Sequence, residues 1–385
     1  MLHALKAAAL AAIAGLALTQ AAAAAEQGFT DSEITVGEIN PYTGPPALLG
    51  VAHAQGVKLA FAEANAEGGI NGRKIKLITE DDGYVPSRTL QAVRKFADVD
   101  KVFALMGVSG AAQSTAALPL IEKTGLPTII SVAPMPVQWT PPRKNIFVLG
   151  QAYEEGVRQL INYLADKNPG KKWALVTQDD DYGLAVRDGF QAAAKEKKLN
   201  VVFTSTYKKG QTDFSSEMLR LKESGAEMFM AGGIISENVA MMKELEKLNV
   251  KPVTGIFWPG RIEALLKLIG PASDGLYAVD YVEPLASPAG KAFVDKAKTL
   301  LGDEAKGINR YTEVGYAAGR LLVDAIKRCG KDLTRACTIA ELEKTKDLAT
   351  GVMAPISFGP GNRFSSQVVK IMRANHGDLS FVPVD

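Results

Sequence analysis

The chain has 385 residues, 47% of them hydrophobic, with a formal net charge of +2, two cysteines and three histidines. That length is more than one hydrophobic core usually serves, so two lobes are expected. The near-balanced charge gives no electrostatic case for a nucleic-acid partner or an anionic membrane surface.

Residues 1–25 read as a secretory leader: Lys6, an apolar run from Ala7 to Leu18, and an A-x-A ending at Ala25. The run is too short for a comfortable membrane span, and no cysteine near its end offers a lipid-anchor site. A mature chain starting near Glu26, with a charge of +1 once Lys6 is removed, is therefore expected in an exported compartment, a bacterial periplasm, with no stable membrane insertion.

From Ile34 two periods alternate. "ITVGEI" is a strand, "LGVAHAQGVKLAFAEANAEG" a helix, "RKIKLITEDD" a strand, "SRTLQAVRKFAD" a helix, "VFALMG" a strand, "AAQSTAALPLIEKTG" a helix and "PTIIS" a strand. Such an order predicts a parallel sheet wrapped by helices. After "IFVLGQAYEEG" the alternation restarts with "WALVTQ" and runs to "PVTGIFW", giving a second α/β unit of similar size. Three helical stretches follow, the second of them "TEVGYAAGRLLVDAIKRCG". The chain closes with strand-like "VMAPISFG", "QVVKIMRAN" and "LSFVPV", antiparallel in style. Cys329 and Cys337, in "RCGKDLTRACT", form a local disulfide or stay as two free thiols; export favours the bond.

Catalytic constellations do not emerge. His53 and His376, the histidines beyond the leader, lack a second ligand at metal spacing, and no nucleophile elbow, phosphate loop or dinucleotide fingerprint follows a strand. No metal, cofactor or enzymatic activity is expected. "GVSGAAQS" at 107–114 leads from a strand into a helix, so it is either an anion-holding turn or an ordinary capped one. "QDDDYG" at 178–183 and "EDDGY" at 80–84 read as helix-capping acids, with cation binding the alternative.

"ITVGEINPYTGPPALLG", the "NAEGGINGRKI" turn, "DDGYVPSRT", "WALVTQDDDYG", "DFSSEMLRLKESGAEMFMAGG" and "YTEVGYAAGRLLVDAI", in that order, resemble the periplasmic substrate-binding proteins of the Leu/Ile/Val-binding type, which serve ABC importers. The resemblance implies a type I binding-protein fold: two doubly wound parallel-sheet lobes joined by three crossings. These are placed near Gly150, Tyr281 and Gly351, with residues 26–150 and 281–350 in lobe 1 and 151–280 and 351–385 in lobe 2. It also implies capture of a small-molecule solute by a monomer that contacts an ABC permease, itself driven by ATPase subunits. Binding of a branched-chain or other amino acid, and use of the same fold as a ligand-sensing receptor domain, are the rival readings.

Carried over by residue, the resemblance assigns a ligand carboxylate to Ser109, Gly110, Ala111, Ser131 and Ala133, although Pro134 or Met135 stands where a threonine is usual. Tyr182 matches a pocket aromatic. Leu49 and Ile234 replace two other aromatics, and Trp258 replaces the glutamate that pairs with an amino-acid ammonium. Burying an ammonium without a counter-charge costs several kcal/mol. The pattern therefore points to a hydrophobic or aromatic carboxylate, stacked on Trp258 with Arg261 as a candidate to grip it, in place of a standard amino acid.

Overall fold

The computed structural model describes residues 28–384, so the expected leader and its cleavage site lie outside the described residues. Strands β1 (Glu33–Asn40), β2 (Lys74–Asp81), β3 (Ala104–Gly107), β4 (Thr128–Ile130) and β5 (Ile146–Gly150) form a parallel sheet in the order β5-β4-β3-β1-β2. β6 (Lys172–Gln178), β7 (Asn200–Tyr207), β8 (Met228–Gly232), β9 (Val253–Ile256) and β10 (Tyr277–Asp280) form a second, ordered β10-β9-β8-β6-β7. β3 and β8 are buried along their whole length, as central strands covered on both faces must be, which is why "ALMG" and "MFMAG" are uninterrupted apolar runs.

The third crossing differs from expectation. The short strand β11 (Phe364–Ser366) pairs in parallel with β5, so the chain is still in the first sheet after Gly351. It leaves at Gln367, whose backbone N–H donates to Gly150 O at 2.8 Å, beside the first crossing. Residues 351–366 thus belong with lobe 1, and only β12 (Lys370–Asn375) and β13 (Ser380–Pro383) return to the second sheet, antiparallel as expected. "VMAPISFG" is not a strand; it makes isolated bridges, Met353 to Val282 and Ile356 to Leu348.

Eleven helices are described, of which seven position the site: α1 (Ala47–Ala66), α2 (Pro86–Arg94), α3 (Ala111–Thr124), α4 (Tyr153–Lys167), α5 (Asp181–Lys197), α7 (Ser236–Lys247) and α10 (Arg310–Cys329). α10 returns to the first lobe and lies against α1. The approach is close because Gly56 and Gly315 face the other helix's backbone: a Cβ at Gly315 would stand 2.1 Å from His53 O. This contact fixes the height of His53 in the lobe. Among the described residues no helix is long and apolar enough to cross a membrane.

Cys329 and Cys337 are joined in a disulfide, with Cα atoms 5.9 Å apart and a sequence separation of 8. It staples the end of α10 to the helix Arg335–Glu343. Loop-closure entropy for so short a loop amounts to about 2–3 kcal/mol. Replacing both cysteines by serine is expected to lower urea-unfolding stability by about that much and leave ligand binding unchanged.

Candidate functional site

The carboxyl ends of the strands in both sheets face one cleft, the usual ligand position of open α/β sheets. Pro45, Pro46 and Gly83–Val85 of the first lobe and Gln178, Lys209, Gly210 and Ile234–Glu237 of the second enclose a cavity of about 340 Å³. Lys209 crosses the cleft: its ammonium lies 3.9 Å from the centre of the Tyr84 ring and donates to Tyr84 O. Burial lowers the Lys209 pKa, and Asp180, Asp82 and Glu237 pull against that shift. Ile234 is therefore on the cavity wall. Leu49, one turn into α1, is buried in the first-lobe core, and the prolines before it form the rim.

Two cleft residues hold left-handed backbone without being glycine: Tyr84 at φ +61° and Val108 at φ +54°. Such conformations cost about 1–3 kcal/mol each and gather at ligand sites. Val108 opens the turn from β3 to α3. Gly110, at φ +101°, closes it, and a Cβ there would stand 2.6 Å from the Tyr84 ring, so the turn and the cavity wall adjoin. No side chain caps α3, leaving its first N–H groups unmatched within the helix. Ser109 Oγ and Gln113 Nε2 are buried with no partner among the described residues. Here the sequence-predicted Ser109, Gly110 and Ala111 come together as a cluster of donors.

Ser131 and Ala133 follow β4. Ala133 O accepts from Gln138 Nε2 at 2.7 Å, and Ser131 O accepts from the Tyr281 hydroxyl at 3.3 Å. Ser131 Oγ lies 2.8 Å from His53 Nε2, and His53 Nδ1 lies 2.5 Å from Glu38 Oε1, with all three residues fully buried. A serine, an imidazole and a carboxylate in line were not anticipated. Glu38 sits on β1 and His53 on α1, and no local motif announces their meeting. The Asp pairs resolve more simply. Asp180 caps α5 through Gly183 N at 3.1 Å, as expected. Asp81 and Asp82 do not cap α2; they accept from Tyr42 N, Gly83 N and Tyr84 N and so tie the first-lobe loops together.

At the crossings the wall is aromatic. Trp258 is fully buried, edge-on to Tyr153 (5.4 Å) and Tyr281 (5.2 Å) and against Phe257 (3.9 Å), while Tyr153 also meets Tyr182 at 5.6 Å. Burial raises the phenol pKa values of Tyr153 and Tyr182 well above the ordinary value, and Tyr207 and Tyr153 raise Tyr182 further. Tyr182 and Tyr311 donate their hydroxyls to Gly233 O (3.0 Å) and Pro259 O (3.3 Å). Trp258 Nε1 has no partner among the described residues. Trp258 thus combines tight packing with a free donor.

Arg261 is neither exposed nor alone. It is fully buried, and its Nε donates to Asp280, which also takes two bonds from Arg310, at 2.6 and 2.9 Å. Arg310 lies over the rings of Tyr311 and Tyr281. Burial alone would raise Asp280, but the two arginines overcome it and hold it below the ordinary carboxylate range. Glu313, 3.9 Å from Arg261, goes the other way: burial outweighs the arginine's pull and pushes its carboxyl well above the ordinary carboxylate range. Among the described residues, no group of three or more metal-ligating side chains is placed to hold an ion.

Residues 33–378 match the family described as periplasmic binding protein, and the chain belongs to that family. A Leu/Ile/Val-binding protein homolog 7 of Brucella abortus is 24% identical over 328 residues, covering 81% of this chain and 82% of its own. A branched-chain amino acid ABC transporter protein from Thermus thermophilus with bound valine superposes with a TM-score of 0.83 at 20% identity, covering 93% of this chain and 96% of its own. A solute-binding protein of an ABC transporter from R. palustris, in complex with 4-hydroxybenzoate, gives 0.79 at 20% identity, covering 92% and 96%.

Proposed function

We propose that this solute-binding protein takes up a small hydrophobic or aromatic carboxylate without an α-ammonium group and delivers it to an ABC permease from the periplasm. Closure of the two lobes about the crossings near Gly150, Tyr281 and Gln367 would enclose the ligand. The observation that carries the reading is the loop Phe257–Ile262. Its one charged side chain is a cation, Arg261, already bound to Asp280, so the loop supplies no partner for an ammonium. The opposite wall supplies donors for an anion: Ser109 Oγ, Gln113 Nε2 and the uncapped start of α3. Ile234 lines the cavity, and Trp258 and Tyr182, buried in the aromatic cluster at the crossings, would meet the ligand's body on closure. The 4-hydroxybenzoate bound by a protein of the same fold is a ligand of this class.

Glu237 favours a second reading. It is a buried acid on the cavity wall and offers an ammonium a partner, in competition with Lys209. Thermal-shift screening of the mature protein separates the two. A ligand at 100 times its Kd adds about 2.7 kcal/mol and raises the melting temperature by about 3 to 4 °C. Aromatic and branched aliphatic acids are expected to give that shift, and leucine and phenylalanine none. A shift with leucine and none with any acid would favour the second reading.

A further inference from the structure

The line of Glu38, His53 and Ser131 is buried behind the donor wall, and carboxylate capture as described uses only its outer member. His53 Nε2 stands 2.8 Å from Ser131 Oγ, and Nδ1 stands 2.5 Å from Glu38 Oε1. Asn40 Nδ2 donates to the same Glu38 oxygen. A hydroxyl has one proton to give, and a carboxylate ligand only accepts. With one proton on the Glu38–His53 pair, held at Nδ1, Nε2 is a bare acceptor. Ser131 must then donate to it and turns lone pairs towards the cleft. With two protons on the pair, Nε2–H donates to Ser131 Oγ, and the serine proton is free for a ligand oxygen.

We propose that Glu38 and His53 are positioning residues whose protonation makes Ser131 a donor, so that capturing a carboxylate takes up a proton. The inference rests on the reading that the ligand carboxylate meets Ser131. It holds for either distribution of the two protons, imidazolium with carboxylate or neutral imidazole with carboxylic acid. The groups around the pair are Asn40 at the end of β1, Tyr42 just beyond it, Asp82 beyond β2, Tyr281 through its bond to Ser131 O, and Arg310 and Glu313 on the helix packed against α1. None of them reaches Ser131 Oγ as an alternative acceptor in the hydrogen bonds of the described residues.

Calorimetry on the full mature chain with benzoate, in buffers of different ionisation heat from about pH 5.5 to 8.5, tests this; carboxylates are already ionised there. On the alkaline side about one proton is expected to be taken up per benzoate bound, and affinity should fall about tenfold per pH unit. Benzamide, which can donate to Ser131, should show no such fall. His53→Gln, whose amide donates at every pH, should bind benzoate without proton uptake. Benzoate binding to the unmutated protein without proton linkage would overturn the role of the pair and leave the carboxylate reading standing. Failure of every acid to bind at any pH would overturn both. Release of nitrophenolate from 4-nitrophenyl acetate, lost in Ser131→Ala, would make the serine a nucleophile and overturn the positioning role.

Discussion

Asp280→Ala is expected to lower folding stability by about 3–5 kcal/mol, the usual cost of removing one partner from a buried charge cluster. Asp280 ends β10 at the second crossing and accepts from Arg261 of one lobe and Arg310 of the other, besides the backbone N–H of Tyr281 at 2.7 Å. Its removal leaves two fully buried guanidinium groups whose remaining acidic neighbours, Glu313 and Glu263, are both pushed towards the neutral form by burial. The pH dependence has a definite sign. A carboxyl held below its ordinary value near 3.8 contributes fully above that value and loses its contribution as the pH falls through the folded-state value. The gap between wild type and variant should therefore be level near neutrality and shrink only below about pH 4. Urea unfolding at several pH values measures it. A loss under about 1 kcal/mol at neutral pH would mean that the cluster is solvated and not a buried bond between lobes.

Trp258→Ala is expected to do two separable things. Truncating a fully buried indole costs about 3–5 kcal/mol of stability, and the ring here is enclosed by Tyr153, Phe257 and Tyr281 and lies over Gly156. If the ring is also an anchor, the preferred acid should lose about 2 kcal/mol or more of binding energy. Trp258→Phe distinguishes the contributions, because it keeps an aromatic filler and removes the unpartnered Nε1 donor. Urea unfolding combined with calorimetry on folded variant gives both numbers. Full affinity in folded Trp258→Ala would make the residue a packing element only.

The α/β repeat was legible because the central parallel strands are short apolar runs and strand-like and helix-like stretches alternate, from "ITVGEI" through "PVTGIFW". The third crossing was not. β11 is three residues, "FSS", with no apolar pattern, and it joins the sheet only because β5 leaves an open parallel edge beside the first crossing. The donor turn at Ser109–Ala111 was visible from its glycines and its place between strand and helix. The Glu38–His53–Ser131 line was hidden, since its members lie 15 and 78 positions apart and meet through the packing of α1 on the sheet. Arg261 showed the limit of reading a loop alone. Its partner, Asp280, comes from a strand end, and Arg310, which shares that carboxylate, from a helix that the first lobe reclaims much later in the chain.

Calorimetric titration of the unmutated protein with two matched pairs is the most direct test of a site built for a carboxylate without an ammonium: leucine against 4-methylpentanoate, and phenylalanine against 3-phenylpropanoate. Within each pair the ligands differ only in the α-ammonium group, so shape and apolar area cancel and the difference reports the missing counter-charge at Trp258. The acid of at least one pair is expected to bind at least about tenfold more tightly than its amino acid, a difference of about 1.4 kcal/mol. Tighter binding of the amino acid in both pairs would contradict it, and would assign the ammonium to Glu237.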